Sequence, residues 1–326
     1  MKTTHRFCVM LISACLGTGM ALAQTPAFPS RAINLVVPNP PGGLVDTSAR
    51  LVAEPLARLI GQSVVVDNKP GASGNLAYQT VARSAKDGHT LLISYSGYHV
   101  ANHILMDKVG WEQRDLTPVG LITVATNVIA VHPSLPVNNL KEFIAYLKAN
   151  PGKVNYASQG NGSVSHIGTE IFKQQTGTDM VHVPYRGCSP ALADAVSGQV
   201  PIFFNMISNS LPHAKNGKVR LLAAASLQRL PSQPQLPTIA EAGFPAFDAY
   251  PWFGILAPAG TPREIVQMLS NELAAAVQSA EIGDKLRGMN FEPTVATPES
   301  FADIMRTDLV RWGRVVREAK VKAAPE

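Results

Sequence analysis

Twice this chain runs from a short apolar stretch through a glycine-rich turn into an amphipathic run. The first passage is INLVVPNPPGGLVDTSARLVAEPLARLIG, residues 33–61, and the second is VNYASQGNGSVSHIGTEIF, residues 154–172. Pro38, Pro40 and Pro41 end the first strand, because proline lacks the N–H that a central strand needs. Gly42 and Gly43 then permit positive φ and close approach of another group. A strand–turn–helix unit of this kind leaves backbone N–H groups unpaired at the positive end of the helix dipole, a setting that favours anions. In open α/β sheets such turns lie where ligands bind. The candidate contacts are therefore Pro41, Gly42, Gly43, Leu44, Val45 and Asp46 in the first turn, with Ser158, Gln159, Gly160, Asn161, Gly162 and Ser163 in the second.

The rest of the chain repeats the pattern. Apolar runs at 63–68, 90–96, 128–133, 180–185, 201–207, 220–226 and 252–258 read as strands. Amphipathic runs at 46–60, 76–83, 140–149, 166–175, 190–196 and 262–279 read as helices, with Pro55 a candidate kink in the first. Alternating strands and helices imply βαβ units and mostly parallel sheets. The proline-rich segment 230–251 reads as a connection.

The first residues are read as address, not fold. Lys2, His5 and Arg6 precede an apolar run at 7–16, and Ala21-Leu22-Ala23 offers a cleavage pattern before Gln24, the signature of a secretory signal peptide. The run is short for a span of ~20 residues. A lipobox-like ISAC ending at Cys15 is the weaker alternative site. Cleavage after Ala23 leaves about 300 residues, two domains at ~150 each. The 46% hydrophobic content suffices for a core and argues against disorder. The net charge of +5 comes with no basic cluster or stripe, so nucleic acid is not an expected partner. Once Cys8 and Cys15 leave with the signal, Cys188 stands alone, which excludes an internal disulfide and a cysteine-based zinc site.

Several side chains carry two readings. Asp46 suits a local cap better than direct ligand contact, and Ser163 or Ser165 suits the N-cap of the second helix. His166 either bonds its own loop or donates to a ligand. It shares a helix face with Glu170, but no third ligand is visible, so no metal is expected. Tyr185 and Arg186 are solvated loop residues or stand at a cleft mouth, and Tyr95 and Ser96 end a strand on the side of the first turn. Trp252 and Phe253 are core by default.

Six phrases, in this order, carry a resemblance: FPSRAINLVVPNPPGGLVD, GQSVVVDNKPGASGNLA, KDGHTLL, VHPSLPVNNLKEFIAYLKANPGKVNYASQGNGSVSHIG, DMVHVPYRG and WFGILAPAGTP. The chain resembles the periplasmic solute-binding proteins of tripartite tricarboxylate transporters, the Bug receptors. The resemblance implies a two-lobed α/β binding protein of the Venus-flytrap kind, crossed twice by the chain. Lobe one is expected at 24–125 and 249–326, and lobe two at 126–248. It implies a carboxylate gripped by both glycine turns, delivery to an integral-membrane permease, no cofactor, and action as a periplasmic monomer. Leu44 and Val45 stand where the family usually has small or hydroxyl residues, which points to a hydrophobic or aromatic ligand body. Asn205 stands where the family often has aspartate, and an amide tolerates an anion better.

The competing reading is a dinucleotide-dependent enzyme. Gly160-x-Gly162-x-x-Ser165 follows a strand and opens a helix, close to a Rossmann fingerprint. Ser165 replaces the third glycine, the acidic residue ending the next strand is missing, and a signal peptide leads away from soluble nicotinamide cofactors. A serine hydrolase is weaker still, since no G-x-S-x-G elbow surrounds Ser163 or Ser165.

Overall fold

The computed structural model describes residues 28–321 apart from 246 and 248, so the expected signal segment and its candidate cleavage and lipidation sites lie outside the described residues. The first part of the chain forms β1 (Ile33–Val37), α1 (Leu44–Ile60), β2 (Val64–Asn68), α2 (Asn75–Ala82) and β3 (Thr90–Tyr95). A π-helical turn, Gly97–Ala101, then runs into α3 (Asn102–Leu105) and β4 (Leu116–Ala125). The middle holds β5 (Asn127–Val131), α4 (Leu140–Ala149), β6 (Asn155–Ser158), α5 (Val164–Thr176) and β7 (Val181–Pro184). It continues with α6 (Cys188–Ser197), β8 (Ile202–Met206), α7 (Ile207–Lys215) and β9 (Arg220–Ala224). The last part is β10 (Trp252–Pro258), α8 (Arg263–Gln278), α9 (Ala280–Gly288), β11 (Phe291–Pro293) and α10 (Pro298–Glu318).

These strands make two sheets, ordered β11-β4-β10-β3-β1-β2 and β7-β6-β8-β5-β9. The sheets are mixed where the sequence suggested mostly parallel ones. Each βαβ unit does give parallel neighbours: β1 pairs with β2 and β3, and β6 with β7 and β8. The strands beside the crossings run the other way. β10 is antiparallel to β3 and β4, β11 is antiparallel to β4, and β5 is antiparallel to β8 and β9. The chain leaves the first sheet at the end of β4 and returns to it as β10, so the outgoing and returning strands must pair head to tail.

The two crossings run side by side. Ala125 N–H donates to Pro251 O at 2.8 Å, and Asn127 Nδ2 donates to Ala249 O at 3.0 Å. Only Thr126 separates β4 from β5. The proline-rich stretch before β10 is the connection expected of it, with no regular helix or strand described between β9 and β10.

α1 is amphipathic and buries Val45, Ala49, Val52 and Leu56 while its other face meets solvent. Pro55 lies inside the helix without ending it, and Gly61 closes it in the left-handed region at φ 70°. Trp252 and Phe253 are fully buried, as expected. α10 starts at a Thr297 cap, whose side chain accepts from Ser300 N–H at 3.2 Å, with Pro298 in the first turn. It packs on β4 and reaches α5, so one helix touches both sheets' layers. Trp252 Nε1 donates to Asp308 Oδ2 of this helix at 2.8 Å.

Candidate functional site

The second glycine turn is held by its own side chains. Gly160 and Gly162 have φ of 122° and 73°, conformations that L side chains rarely adopt. Ser163 is the N-cap of α5, and its Oγ accepts from His166 N–H at 3.3 Å. Ser165 Oγ accepts from Gln159 N–H at 3.0 Å, and Ser158 Oγ accepts from Gly160 N–H at 3.1 Å. Gly162 N–H donates to His166 Nδ1 at 3.0 Å. Of the two roles open to His166, the structure shows the loop bond. Nδ1 must keep its lone pair to accept, so the ring is neutral.

Burial first, then the nearby Lys173 charge, lowers His166 to about 4. Its ring stacks on His182 with centroids 3.7 Å apart. His182 shares a 2.6 Å hydrogen bond with Ser158 Oγ, and burial, followed by His166, lowers it to about 3. Behind them Tyr156 donates to Glu170 Oε1 at 2.8 Å, and Lys173 meets the same oxygen at 3.0 Å. Glu170 is thus spent on Tyr156 and Lys173. Among the described residues no group of three or more His, Cys, Asp or Glu could hold a metal ion.

The first turn is satisfied locally as well. Gly42, at φ 85°, donates its N–H to Asp46 Oδ2 at 2.8 Å. Asp46 is 2% exposed and also accepts from Arg50 Nε at 3.0 Å and Asn68 Nδ2 at 2.9 Å. Burial alone would raise its pKa, but the bonds from Arg50, Gly42 and Asn68 outweigh that and hold the carboxyl below the usual range. Asp46 therefore reaches back from the third helical position to the turn, in place of acting as the N-cap, which is Gly43.

Tertiary packing separates residues that the sequence had grouped. A cleft of about 380 Å³ lies between the two sheets' halves. Tyr95, Tyr98, Ala101, Leu105 and Met106 line one side, and Gln159, Asn161, Gly162, Ser163 and Gly187 the other. Among the described residues, no lysine or arginine lines it. The first turn does not line this cleft. Pro41, Gly42 and Asp46 edge a shallow depression on the outer side of α1. Leu44 borders a separate one, of about 470 Å³, with Asn209 and Lys215 of α7 and Met289. Val45 is buried in the core with Ile33, Val37 and Val52, because its position on α1 faces the sheet. Gly43 has no neighbour closer than Pro40 O at 3.7 Å from where a β-carbon would stand.

Three further candidates are turned to structural tasks. Ser96 is fully buried, and its Oγ accepts from Trp252 N–H at 3.3 Å. Tyr185 donates its hydroxyl to Asp194 of α6, away from the cleft. Arg186 is exposed. Asn205, 0% exposed at the end of β8, accepts from Asn209 Nδ2 at 3.1 Å and sits 3.5 Å from Gln159 Nε2. The thiol of Cys188 lies 3.8 Å from the same oxygen, and burial pushes it up to about 11, so it stays neutral.

Most of the cleft residues missed from sequence are those of 97–106, with Ser73, Val164 and Gly187 besides. Residues 97–106 combine a π-helical turn with a helix of four residues, too short for a 3.6-residue period to register. The one signal was the run of aromatic and aliphatic residues, GYHVANHILM, directly after a strand. The close approach that Gly162 allows is to this segment: a β-carbon on Gly162 would collide with Leu105 Cδ1.

The profile described as tripartite tricarboxylate transporter family receptor matches residues 48–321. Protein BugT of Bordetella pertussis (strain Tohama I) is 35% identical over 324 residues, which cover 99% of each chain. A Rhodopseudomonas palustris protein solved with adipate superposes with a TM-score of 0.79 at 36% identity, over 91% of this chain and 100% of that one. MatC from Rhodopseudomonas palustris, solved with bound malate, superposes at 0.73 and 33% identity, over 89% and 100%.

Proposed function

The chain belongs to the tripartite tricarboxylate transporter receptor family, and on that premise we propose that it captures a small carboxylate in the periplasm and hands it to an integral-membrane permease. The observation that carries this reading is the cleft itself. One wall is backbone and amide from the second glycine turn, and the other is mainly aromatic and aliphatic, with Ser73 and Asn102 among it. Amide and hydroxyl donors hold an anion without a fixed cation, as helix N-termini do. Two similar proteins were solved with adipate and with malate.

The lobes are proposed as residues 24–125 with 249–326, and 126–248. This division follows the membership of the two sheets. Closure turns about the paired crossings at Ala125–Pro251 and Asn127–Ala249. A ligand drives closure only through contacts it makes better in the closed state, so it must touch both walls. The chain acts as a receptor and not as an enzyme, and the glycine turn that resembles a dinucleotide fingerprint spends most of its N–H donors on its own side chains.

The ligand has an apolar body. This preference now rests on Tyr95, Tyr98, Ala101, Leu105 and Met106, not on Leu44 and Val45. A hydroxyl or amino group laid against Ala101, Leu105 and Met106, away from the tyrosine hydroxyls, loses its hydrogen bonds, at about 1–3 kcal/mol each once buried. A thermal-shift panel on the mature protein is the test, using unsubstituted aliphatic and aromatic carboxylates against malate, citrate and aspartate. The unsubstituted acids are expected to raise the melting temperature most. A larger shift from citrate or malate refutes the apolar preference. No response to any carboxylate, with a nucleotide absorbance in the purified protein, refutes the receptor reading.

A further inference from the structure

We propose that Tyr98 is the hydrogen-bond donor that the half opposite the second glycine turn gives to the ligand, held in aim by Asn39 of the first turn. The proposal rests on the carboxylate-receptor function and narrows its substrate class to carboxylates that carry a second acceptor, α,ω-dicarboxylates foremost.

Tyr98 lines the cleft from the π-helical turn that follows β3. Its ring is firmly seated. Cδ2 lies 3.0 Å from where a β-carbon on Gly74 would stand, and Gly74 is held at φ 83°. Tyr95 meets the ring edge-on, with centroids 5.5 Å apart. Asn39, between Pro38 and Pro40 of the first turn, donates from Nδ2 to the Tyr98 hydroxyl oxygen at 2.8 Å. An amide N–H does not accept in return, so this bond leaves the hydroxyl proton ungiven. It also polarises the O–H and strengthens it as a donor. Burial raises the Tyr98 pKa and outweighs the Asn39 bond, so the proton stays on. The other polar side chains of this wall are less well placed to donate. Asn102 Nδ2 is committed to Ser73 O at 2.8 Å and Asn75 Oδ1 at 3.2 Å, and Ser73 is exposed to water.

Across the cleft, the N–H groups of Asn161 and Val164 and the Asn161 side-chain amide enter no hydrogen bond among the described residues. The walls stand within reach of one small molecule, since a β-carbon on Gly162 would collide with Leu105 of the other half. One acceptor group of the ligand therefore meets the second glycine turn and another meets Tyr98, which supplies the contact with both walls that closure needs. The first turn serves the ligand without lining the cleft, through Asn39.

The experiment measures Kd by titration calorimetry for straight-chain α,ω-dicarboxylates and for the monocarboxylates of the same lengths, at a pH where both are ionised. The proteins are the mature wild type, Tyr98→Phe, Asn39→Ala and the double variant. Circular dichroism melts check folding. The wild type is expected to bind each dicarboxylate more tightly than its monocarboxylate counterpart. Tyr98→Phe, which removes only the hydroxyl, should cut that advantage about tenfold or more, the worth of a hydrogen bond to a charged group. Asn39→Ala should cut it by less, and by nothing further in the Tyr98→Phe background. If Tyr98→Phe does not fold, Asn39→Ala carries the comparison. An equal loss for mono- and dicarboxylates means that Tyr98 only shapes the cleft, and the proposal fails while the receptor function stands. Unchanged affinities, or a wild type that gains nothing from the second carboxylate, also overturn it. If the wild type binds no acid of either series, the carboxylate-receptor reading itself falls, and the role of Tyr98 with it.

Discussion

Asp46 shows how a single residue decides what a turn can offer. Its carboxylate lies 2.8 Å from Gly42 N–H and also takes bonds from Arg50 and Asn68, at 2% exposure. Removing it leaves the Gly42 N–H and the half-buried Asn68 amide without their acceptor and takes a negative charge from the helix N-terminus. Asp46→Ala is expected to cost about 2–3 kcal/mol in urea denaturation, since bonds to a charged group are worth about 1.5–3 kcal/mol. Asp46→Asn, which keeps one acceptor, costs less. Because the folded pKa lies below the unfolded one, this contribution is present above the unfolded value and is lost as pH falls through the folded value. A variant of unchanged stability with weakened ligand binding assigns Asp46 to the ligand instead. The sequence already favoured the local role. It had not placed the carboxylate on Gly42, because that bond depends on how the turn folds back over the helix.

At the scale of elements, α5 and β7 bring two neutral histidines face to face. His166 on α5 is lowered to about 4 and His182 on β7 to about 3, both first by burial. Glu170 and Lys173 on α5 and Tyr156 on β6 are the other titratable groups packed around them. Each histidine's folded pKa lies below the ordinary 6.5. The unfolded chain therefore binds protons that the folded one refuses, and stability falls as pH drops from about 6.5 toward the folded values. Melting temperatures from pH 7.5 down to 4.5 should decline, and His166→Gln with His182→Gln should flatten the slope between 6.5 and 4.5. An unchanged slope in the double variant excludes the pair as its source. In the sequence, 16 positions separate these residues, and nothing in either one's neighbourhood announces the stack. α10 is the opposite case. Thr297, Pro298 and the spacing of Phe301, Met305, Trp312 and Val316 mark a capped amphipathic helix, so its signal was legible and passed over.

For the whole molecule the deciding feature is the pair of crossings. Asn127 is 2% exposed, and its Nδ2 ties the outgoing strand to Ala249 O on the returning one. Asn127→Ala leaves that carbonyl buried without its donor, at about 1–3 kcal/mol. Urea denaturation should show this loss, and ligand titration on the same variant should show a changed affinity if closure turns about the crossings. A full-strength variant with wild-type affinity removes Asn127 from the hinge. What the sequence determined by itself is local. The strand–glycine–helix units, the left-handed glycines at 42 and 162 and a serine cap at 163 or 165 follow from residue type and spacing within a few positions, whereas the double crossing between two α/β sheets was implied only by the family resemblance. Only tertiary structure decided which side chains meet across the halves. It put Val45 in the core, turned Tyr185 to Asp194, paired β10 antiparallel between β3 and β4, and set Leu105 over Gly162. The reason is physical: backbone preference acts over neighbouring residues, whereas burial compares every apolar surface in the chain, and the partner that removes most of it from water can lie far away in sequence.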